Sequence, residues 1–236
     1  IFTDDQLLIL DKPAGWLTHP SGSARRTAPI VTEWLLAHDP SLQSIGREER
    51  LQDGTMAPRA GLLHRLDRET SGVLAVAKTT AAFDWFTGSF RERTVKKIYR
   101  AIVSGEVKVS GGVIDLPIGR SRHDPRRRAT GEKARGERRP AMTLFRVLER
   151  FPRHAYLELE PKTGRTHQLR VHLQARRIPI LGDRLYAPGA EQIPTISRTA
   201  LHAYSLTLPL PDGTFKFFEA PLPKDFRQTL DYLRGS

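Results

Sequence analysis

The 236-residue sequence contains no cysteine, and this absence removes several classes of protein. Without cysteine there is no disulfide framework, no thiol nucleophile and no thiolate zinc site. No apolar run approaches the ~18 residues that a membrane-spanning helix needs, and no signal-peptide pattern opens the chain. We therefore expect a cytoplasmic protein with no membrane segment. The first residue is Ile1 rather than methionine, which leaves room for an N-terminal part outside this chain.

Acidic residues are also scarce, with 26 Asp and Glu against 38 Lys and Arg, a formal net charge of +12. The isoelectric point is near 10.4. A balance this basic indicates a polyanionic partner, because phosphate neutralisation supplies most non-specific nucleic-acid affinity. The alternative is a soluble surface that is merely positive. Residues 119–139, here called the basic segment, hold nine basic residues against three acidic ones, a net of +6. We expect a loop-like segment that contacts phosphates through Arg126, Arg127 and Arg128.

The apolar periodicity predicts an α+β fold for residues 1–236, a single domain whose mixed, mainly antiparallel β-sheet is flanked by helices and loops. Residues 39–60 are polar and turn-rich, too long for an ordinary connection. Predicted strands include 7–10, 97–103, 142–149 and 155–160, and the hairpin 201–218 turns at Pro211-Asp212-Gly213. One predicted helix begins at Pro29 and has Ile30, Val31, Trp34 and Leu35 on one face. A second begins at a cap formed by Thr79 or Thr80 and runs through Arg91, and a third begins at a cap formed by Thr166 and runs to about Ala175. The last predicted helix lies near the C-terminus and has Phe226, Leu230 and Leu233 on one face.

The leading candidate site is an acid within a short basic motif, His64-Arg65-Leu66-Asp67-Arg68-Glu69-Thr70-Ser71-Gly72. An apolar run over 73–77 follows directly and predicts a buried strand. A carboxylate beside basic groups stays ionised and can act as a nucleophile or a base. Small turn residues let the backbone bend close to a ligand. The structural alternative is an aspartate that hydrogen-bonds its own backbone in a turn.

Two further segments carry candidate residues. Tyr99 lies in a predicted strand, Lys97-Ile98-Tyr99-Arg100-Ala101, where a lone tyrosine more often belongs to a core or an interface. The segment Lys162-Thr163-Gly164-Arg165-Thr166-His167-Gln168-Leu169-Arg170-Val171-His172 places two arginines on either side of a predicted helix start. Helical side chains lean toward the N-terminus, so Arg170 can aim at a site there. The alternative for both arginines is phosphate binding or a solvated helix face.

The sequence predicts neither a metal nor a cofactor. His167 and His172 are five residues apart, without the HExxH spacing or any cysteine ligand. Neither a GxGxxG fingerprint nor a P-loop occurs, so nucleotide cofactors have no support. A zinc deaminase would need cysteine ligands that are absent.

The motif at 65–72 resembles the catalytic motif of the RluA-type pseudouridine synthases, R-L-D-x-x-T-S-G. The segments around Tyr99 and Arg170 resemble the K-x-Y-x-A and G-R-x-H-Q-I/L-R motifs of that family. Further matches at Asp11-Lys12-Pro13, Pro179-Ile180-Leu181-Gly182-Asp183 and Leu201-His202-Ala203 extend the resemblance over nearly the whole chain. The long segment 39–60 and the basic segment depart from the family pattern. Many members carry an N-terminal S4 RNA-binding domain, and this chain matches the catalytic domain alone.

The resemblance implies an isomerase that converts uridine to pseudouridine in structured ribosomal or transfer RNA, after flipping the base. It assigns Asp67 as the catalytic aspartate, Tyr99 as the residue that stacks on the flipped base, and Arg170 as the partner of Asp67. It places His64, Arg65 and Arg165 in the RNA interface, with Arg65 filling the gap that the base leaves. We expect a monomer.

Two alternatives from other functional classes stay open at this point. One is an RNA-binding or chaperone protein without isomerase activity, in which the acid is vestigial. The other is a nucleic-acid glycosidase, which would also use an acid and a flipped base but would release uracil. Detection of pseudouridine in RNA after incubation separates all three.

Overall fold

The structure is a computed structural model that describes residues 1–20, 28–50, 54, 56–189 and 193–235. These residues form two units, Ile1–Lys96 with Ala203–Pro221, and Lys97–His202 with Leu222–Ser236. Both units combine antiparallel strand pairs with helices, which confirms the predicted α+β class with a mainly antiparallel sheet. The single domain over residues 1–236 stays a prediction.

The first unit is organised around β5 (Ser71–Ala77), in which every residue is buried. This matches the uninterrupted apolar run, since a strand covered on both faces needs no polar alternation. The strand order is β1 (Phe2–Thr3), β2 (Leu7–Lys12), β5 and β13 (Leu201–Pro209), and β14 (Phe215–Glu219) pairs with β13. The pairs β1–β2, β2–β5 and β13–β14 are antiparallel. The predicted hairpin at residues 201–218 is therefore confirmed.

Two helices pack in the first unit. Helix α2 (Thr80–Glu92) begins where predicted, because the hydroxyl of Thr79 accepts a hydrogen bond from the backbone N–H of Ala82. Helix α1 (Val31–His38) begins two residues after Pro29, since Ile30 is extended and bridges Leu17. Trp34, predicted to share one face with Ile30, Val31 and Leu35, is 38% exposed, whereas those three residues are buried.

The polar segment 39–60 contains more structure than the sequence predicted. It includes a 3-10 helix (Pro40–Ser44) and the short strands β3 (Glu49–Arg50) and β4 (Met56–Ala57), which pair with each other. Residues 51–53 and 55 lie outside the described part. Leu42 and Ile45 are buried, so two apolar side chains anchor a segment whose composition is otherwise polar.

The second unit contains the strand order β6 (Lys96–Ser104), β12 (His154–Pro161), β11 (Met142–Arg150) and β7 (Gly111–Asp115), all antiparallel neighbours. The predicted strands at 97–103, 142–149 and 155–160 are confirmed, while β7 was not predicted. Helix α4 (Lys224–Arg234) buries Phe226, Leu230 and Leu233 as its periodicity indicates. These three side chains join a core with residues of β6, β11 and β12.

The expectation that the basic segment is loop-like is wrong. Its residues form β8 (Ile118–Ser121), β9 (Arg128–Thr130), a 3-10 helix (Gly131–Lys133) and β10 (Ala134–Arg139). The strands pair in the order β10-β8-β9. The buried positions of this sheet include the small residues Gly119 and Ala134. The sequence therefore lacks the alternation of large apolar and polar residues that normally predicts a strand.

Helix α3 (Gln168–Ala175) confirms the predicted helix, but Thr166 does not cap it. The N-cap is His167, which has a left-handed backbone (φ +56°) and makes no capping bond through its side chain. The side chain of Gln168 reaches back instead, and its Oε1 accepts a hydrogen bond from the backbone N–H of Arg165. None of the helices in the described part of the chain has both the length and the apolar character that a membrane crossing requires.

Candidate active site

Asp67 lies in a turn that leads into β5 and that other parts of the first unit hold in place. Its carbonyl accepts a hydrogen bond from the backbone N–H of Thr70 at 3.0 Å, which closes the turn. The hydroxyl of Thr18 donates to the carbonyl of Leu66 at 2.7 Å and accepts from its N–H at 3.1 Å. Leu66 and Thr70 are buried, whereas Asp67 between them is partly exposed. The turn thus presents a carboxylate on a backbone anchored at both sides.

Lys12 supports the same turn from within the fold. Its ammonium group donates to the carbonyls of Pro13, Trp16 and Arg68 at 2.9, 2.9 and 3.3 Å, and the side chain is buried. Gly15 adds two bonds, since its N–H donates to the Arg68 carbonyl at 2.8 Å and its own carbonyl accepts from Arg68 Nε at 3.2 Å. A buried ammonium group is tolerated only when its donors are satisfied. Lys12 therefore ties the end of β2 to the turn that carries Asp67.

Gly72 allows a close backbone approach at the end of the motif. Its φ is +112°, and a Cβ atom there would overlap the carbonyl oxygen of Ala203. Only glycine meets both requirements. The glycine of the motif therefore has a packing role inside the first unit, beside any role at a ligand.

A pocket of about 130 Å³ lies next to the motif in the first unit. Arg65 in its lining is exposed, as a residue that contacts RNA would be. His64 is partly buried, accepts a hydrogen bond at Nε2 from the backbone N–H of Ala75 (3.1 Å) and stacks on Phe90 with ring centroids 5.2 Å apart. His64 thus also has a structural role. The pocket is lined by His19, Ala57, Pro58, Arg59, Leu62, His64 and Arg65.

Tyr99 lies on β6 in the second unit, directly opposite Leu159 of β12. It is partly buried and packs against the core of that unit. The position agrees with the sequence-based alternative of a core tyrosine, and it leaves the residue only partly buried. Both roles require a ring at this position.

Arg170 on α3 is held by a buried aspartate that the sequence did not predict as a site residue. Its Nε and Nη2 donate to the two carboxylate oxygens of Asp183 at 2.7 and 2.8 Å. Asp183 Oδ1 also accepts from the backbone N–H groups of Leu185 and Tyr186. A bidentate pair with further hydrogen bonds fixes the guanidinium plane. Asp183 ends the matched segment 179–183, so its motif could have drawn attention to it.

Tyr186 connects α3 with the basic segment. The guanidinium groups of Arg127 and Arg170 lie 5.1 and 5.0 Å from its ring centroid. The hydroxyl accepts from the backbone N–H of Arg128 at 2.8 Å and also makes a hydrogen bond with His167 Nδ1, 2.9 Å away. Tyr186 is buried, and it gave no signal in the sequence beyond its place near the segment 179–183.

A buried polar network fixes the start and the inner face of α3. Gln168 Oε1 accepts from Thr163, and its amide nitrogen donates to the hydroxyl of Thr143. The ring of His172 bonds Thr143 through Nδ1 and the carbonyl of Leu116 through Nε2. Since a carbonyl only accepts, Nε2 carries the hydrogen. Burial lowers the pKa of His172 below its ordinary value, and the bond to Leu116 opposes this in part.

The remaining predicted RNA-binding arginines differ in the contacts that their side chains make within the protein. Arg165 donates from Nε to the carbonyl of Pro140 at 3.0 Å. Arg126 makes a bidentate pair with Asp124, which lowers the pKa of that carboxyl to about 2. Arg127 lies on Tyr186, and Arg128 is partly exposed at the start of β9. Arg126 therefore already has an acidic partner within the basic segment.

The candidate residues divide between the two units. Asp67, His64 and Arg65 belong to the first unit, and Tyr99, Arg165, Arg170 and Arg126–Arg128 belong to the second. Over the described ranges, no group of three or more His, Asp or Glu side chains is arranged to hold a metal ion.

Comparisons with known proteins agree on one family. A family model described as RNA pseudouridylate synthase matches residues 6–175. Ribosomal large subunit pseudouridine synthase D of Neisseria meningitidis serogroup A is 38% identical, over 99% of this chain and 60% of that protein. An uncharacterized RNA pseudouridine synthase of Synechocystis is 38% identical over 99% of this chain and 68% of its own length. The chain thus spans about three fifths of the Neisseria relative.

Solved structures show the same fold. The structure of human RNA pseudouridylate synthase domain containing 4 superposes with a TM-score of 0.74 at 28% identity, over 99% of this chain and 92% of that one. Human RNA pseudouridylate synthase domain containing 1 superposes with a TM-score of 0.73 at 24% identity, a similarity of fold.

Proposed function

Because this chain belongs to the RNA pseudouridylate synthase family, we propose that it isomerises specific uridines to pseudouridine in structured RNA. Several relatives are named for the large ribosomal subunit, which favours ribosomal RNA over transfer RNA as the substrate. The observation that carries the proposal is the motif at 64–72. Its aspartate lies on a turn anchored by Lys12 and Thr18, in a chain with a strong positive charge.

The proposed reaction conserves every atom of the nucleotide. The bond between C1′ of the ribose and N1 of uracil breaks, the base turns while bound, and C5 forms a new bond to C1′. The proton on C5 is lost and N1 gains one, so neither a redox cofactor nor an energy source is needed. The protein has to extrude the base from its stack, hold it, and supply one group that acts at the ribose.

We assign that group to Asp67, as a nucleophile at C1′ or as a base at C2′. The anchored turn supports this assignment, because a carboxylate on a rigid backbone loses little freedom when it reaches the reactive geometry. We assign Tyr99 to stacking on the uracil and to accepting the C5 proton. Arg170 is proposed to pair with Asp67. The bidentate bond to Asp183 supports this role, since it orients the guanidinium before RNA binds.

The RNA is proposed to contact Arg65, His64 and Arg165, with Arg65 occupying the place of the extruded base. Arg127 and Arg128 are proposed to bind RNA beside Tyr186, and Arg126 to do so in competition with Asp124. A cytoplasmic location and a monomeric state complete the proposal, and the reaction is proposed to run without a metal or a cofactor.

The first test is product analysis after incubation with a large-subunit ribosomal RNA transcript. We expect pseudouridine from the wild type, and no detectable product from Asp67→Asn, which keeps the size of the side chain but removes the carboxylate. RNA affinity and thermal midpoint should stay close to wild type. Asp84→Asn on the exposed face of α2 is the matched control, and it should keep full activity.

Two outcomes separate the functional classes, and a third tests the assignment of the acid. RNA binding without pseudouridine would support the RNA-binding or chaperone alternative, and release of free uracil would support a glycosidase. Turnover of Asp67→Asn within tenfold of the wild type would place the reactive acid elsewhere.

A further inference from the structure

Three arginines of the basic segment form a row across one face of its sheet. Arg120 in β8 lies directly opposite Arg128 in β9 and directly opposite Arg135 in β10. Residues that face each other in antiparallel strands project from the same side of the sheet. The three side chains therefore share one face. Adjacent strands are about 4.8 Å apart, so the outer two backbones are separated by roughly 10 Å.

The three guanidinium groups of this row have no acidic partner and no hydrogen-bond acceptor among the residues that the structure describes. Arg120 and Arg135 are exposed, and Arg128 is partly exposed. Their neighbours behave differently. Arg126 pairs with Asp124, and Arg122 donates from Nε to the carbonyl of Ala134. Like charges directly opposite each other destabilise a sheet. The row therefore brings together like charges that no ion pair within the described residues offsets.

The row adjoins the helix that carries Arg170. Ile118 lies two residues before Arg120, on the same face of β8, and it packs with Val171 of α3 and with Tyr186. The backbone N–H of Arg128 donates to the hydroxyl of that same Tyr186. Within the second unit, a ligand on the row thus lies beside the motif that contains Arg165 and Arg170.

We propose that the row of Arg128, Arg120 and Arg135 binds consecutive phosphates of the substrate RNA. The substrate class follows from the proposed function, and the row identifies where its backbone runs. Guanidinium groups match phosphate with paired hydrogen bonds. A row of them on adjacent strands, without acidic partners among the described residues, fits a polyanionic strand rather than a single small anion. Such contacts position the RNA without reading its sequence.

The test compares two triple variants that lose the same charge. The row variant carries Arg120→Gln, Arg128→Gln and Arg135→Gln. The control carries Arg91→Gln, Arg176→Gln and Arg227→Gln, three exposed arginines outside the β8–β10 sheet. We expect the row variant to make log K against log[salt] less steep by roughly 2 to 3 units, at about 0.7 per lost contact for a single strand and about 0.9 for a duplex. The control should change the slope by less than half as much.

A third variant has lysine at the three row positions. It keeps the positive charge but lacks the planar guanidinium groups that form paired hydrogen bonds with phosphate. It should recover the salt slope but bind more weakly than the wild type at any given salt concentration. Relief of repulsion should leave the thermal midpoint of the glutamine row variant at or above the wild-type value in low salt. An unchanged slope in the row variant, or an equal change in the control, would overturn the proposal.

The result is independent of the product analysis. Pseudouridine formation by the wild type tests the isomerase activity, whereas the salt slope tests the row even if the RNA is bound without being modified.

Discussion

At the scale of single residues, the hydroxyl of Tyr99 allows the proposed stacking role to be separated from proton transfer. Tyr99→Phe keeps the ring, whose face contributes ~1–3 kcal/mol when a base stacks on it, and removes the group assigned to the C5 proton. We expect near-normal RNA binding and a single-turnover rate at least tenfold lower. Rapid quenching followed by nucleoside analysis measures this rate.

Tyr156→Phe provides the matched control for this prediction. Tyr156 lies on β12 next to β6 and is likewise partly buried against the core of the second unit. It should keep the wild-type rate. If Tyr99→Phe also kept that rate, proton transfer would belong to another group. If Tyr99→Ala failed to fold, the core role of the ring would dominate.

Which site residues the sequence could predict depends on whether their partners are local. Asp67, Tyr99 and Arg170 lie in motifs that name them without any structure. The groups that hold the turn of Asp67 in place cannot be found in this way. Thr18 hydrogen-bonds Leu66, 48 residues away in the sequence, and Lys12 hydrogen-bonds Arg68, 56 residues away. No periodicity in a single sequence encodes such pairs. Tyr186 was missed because only contacts formed by folding assign its role, whereas Asp183 ends the matched segment 179–183 and could have been found from that motif.

At the scale of elements, α3 depends on a neutral histidine, which predicts how stability changes with pH. Burial lowers the pKa of His172 in the folded protein below the ordinary value of 6.5. The unfolded chain therefore takes up a proton more readily as the pH falls through 6.5, and the contribution of His172 to stability is full above that value and lost below it. One proton changes the free energy of unfolding by at most ~1.4 kcal/mol per pH unit.

The measurement is the free energy of unfolding by denaturant at several pH values from 8 to 5, for the wild type and His172→Gln. Glutamine can bond Thr143 and the carbonyl of Leu116 but does not titrate. We expect the wild type to lose more stability than the variant as the pH falls below 6.5. His123→Gln, at an exposed site in the basic segment, should follow the wild-type curve. Parallel curves for His172→Gln and the wild type would contradict the prediction.

The strands that the sequence missed share a physical cause. Strands β6, β11 and β12 alternate apolar and polar residues or form apolar runs, and their prediction was correct. In the basic segment, charged residues occupy most exposed positions and Gly119 and Ala134 occupy buried ones, so hydrophobic contrast is low. The pairing depends on backbone hydrogen bonds and on close packing of small residues. Periodicity measures neither of these.

At the scale of the whole molecule, charge was the most informative bulk property. Half of the net charge of +12 falls in the basic segment, and the structure makes that segment a sheet with a defined face. Composition could indicate a polyanionic partner but not the side from which it approaches. The α+β class was predictable because hairpin signals and helical periodicity are local. The division into two units was not, because contacts between residues distant in the sequence define it.

Because Lys12 is buried, the rate at which its side chain is chemically modified should report how often the fold opens around it. Acylating reagents attack the uncharged amine, and here the nitrogen is enclosed by three carbonyl oxygens with almost no access to solvent. Surface lysines should react at rates set by the reagent, whereas Lys12 should react only when β2 separates from the turn that carries Asp67. Timed labelling read by mass spectrometry should therefore find Lys12 modified far more slowly than exposed Lys108. Addition of denaturant should bring the two rates together.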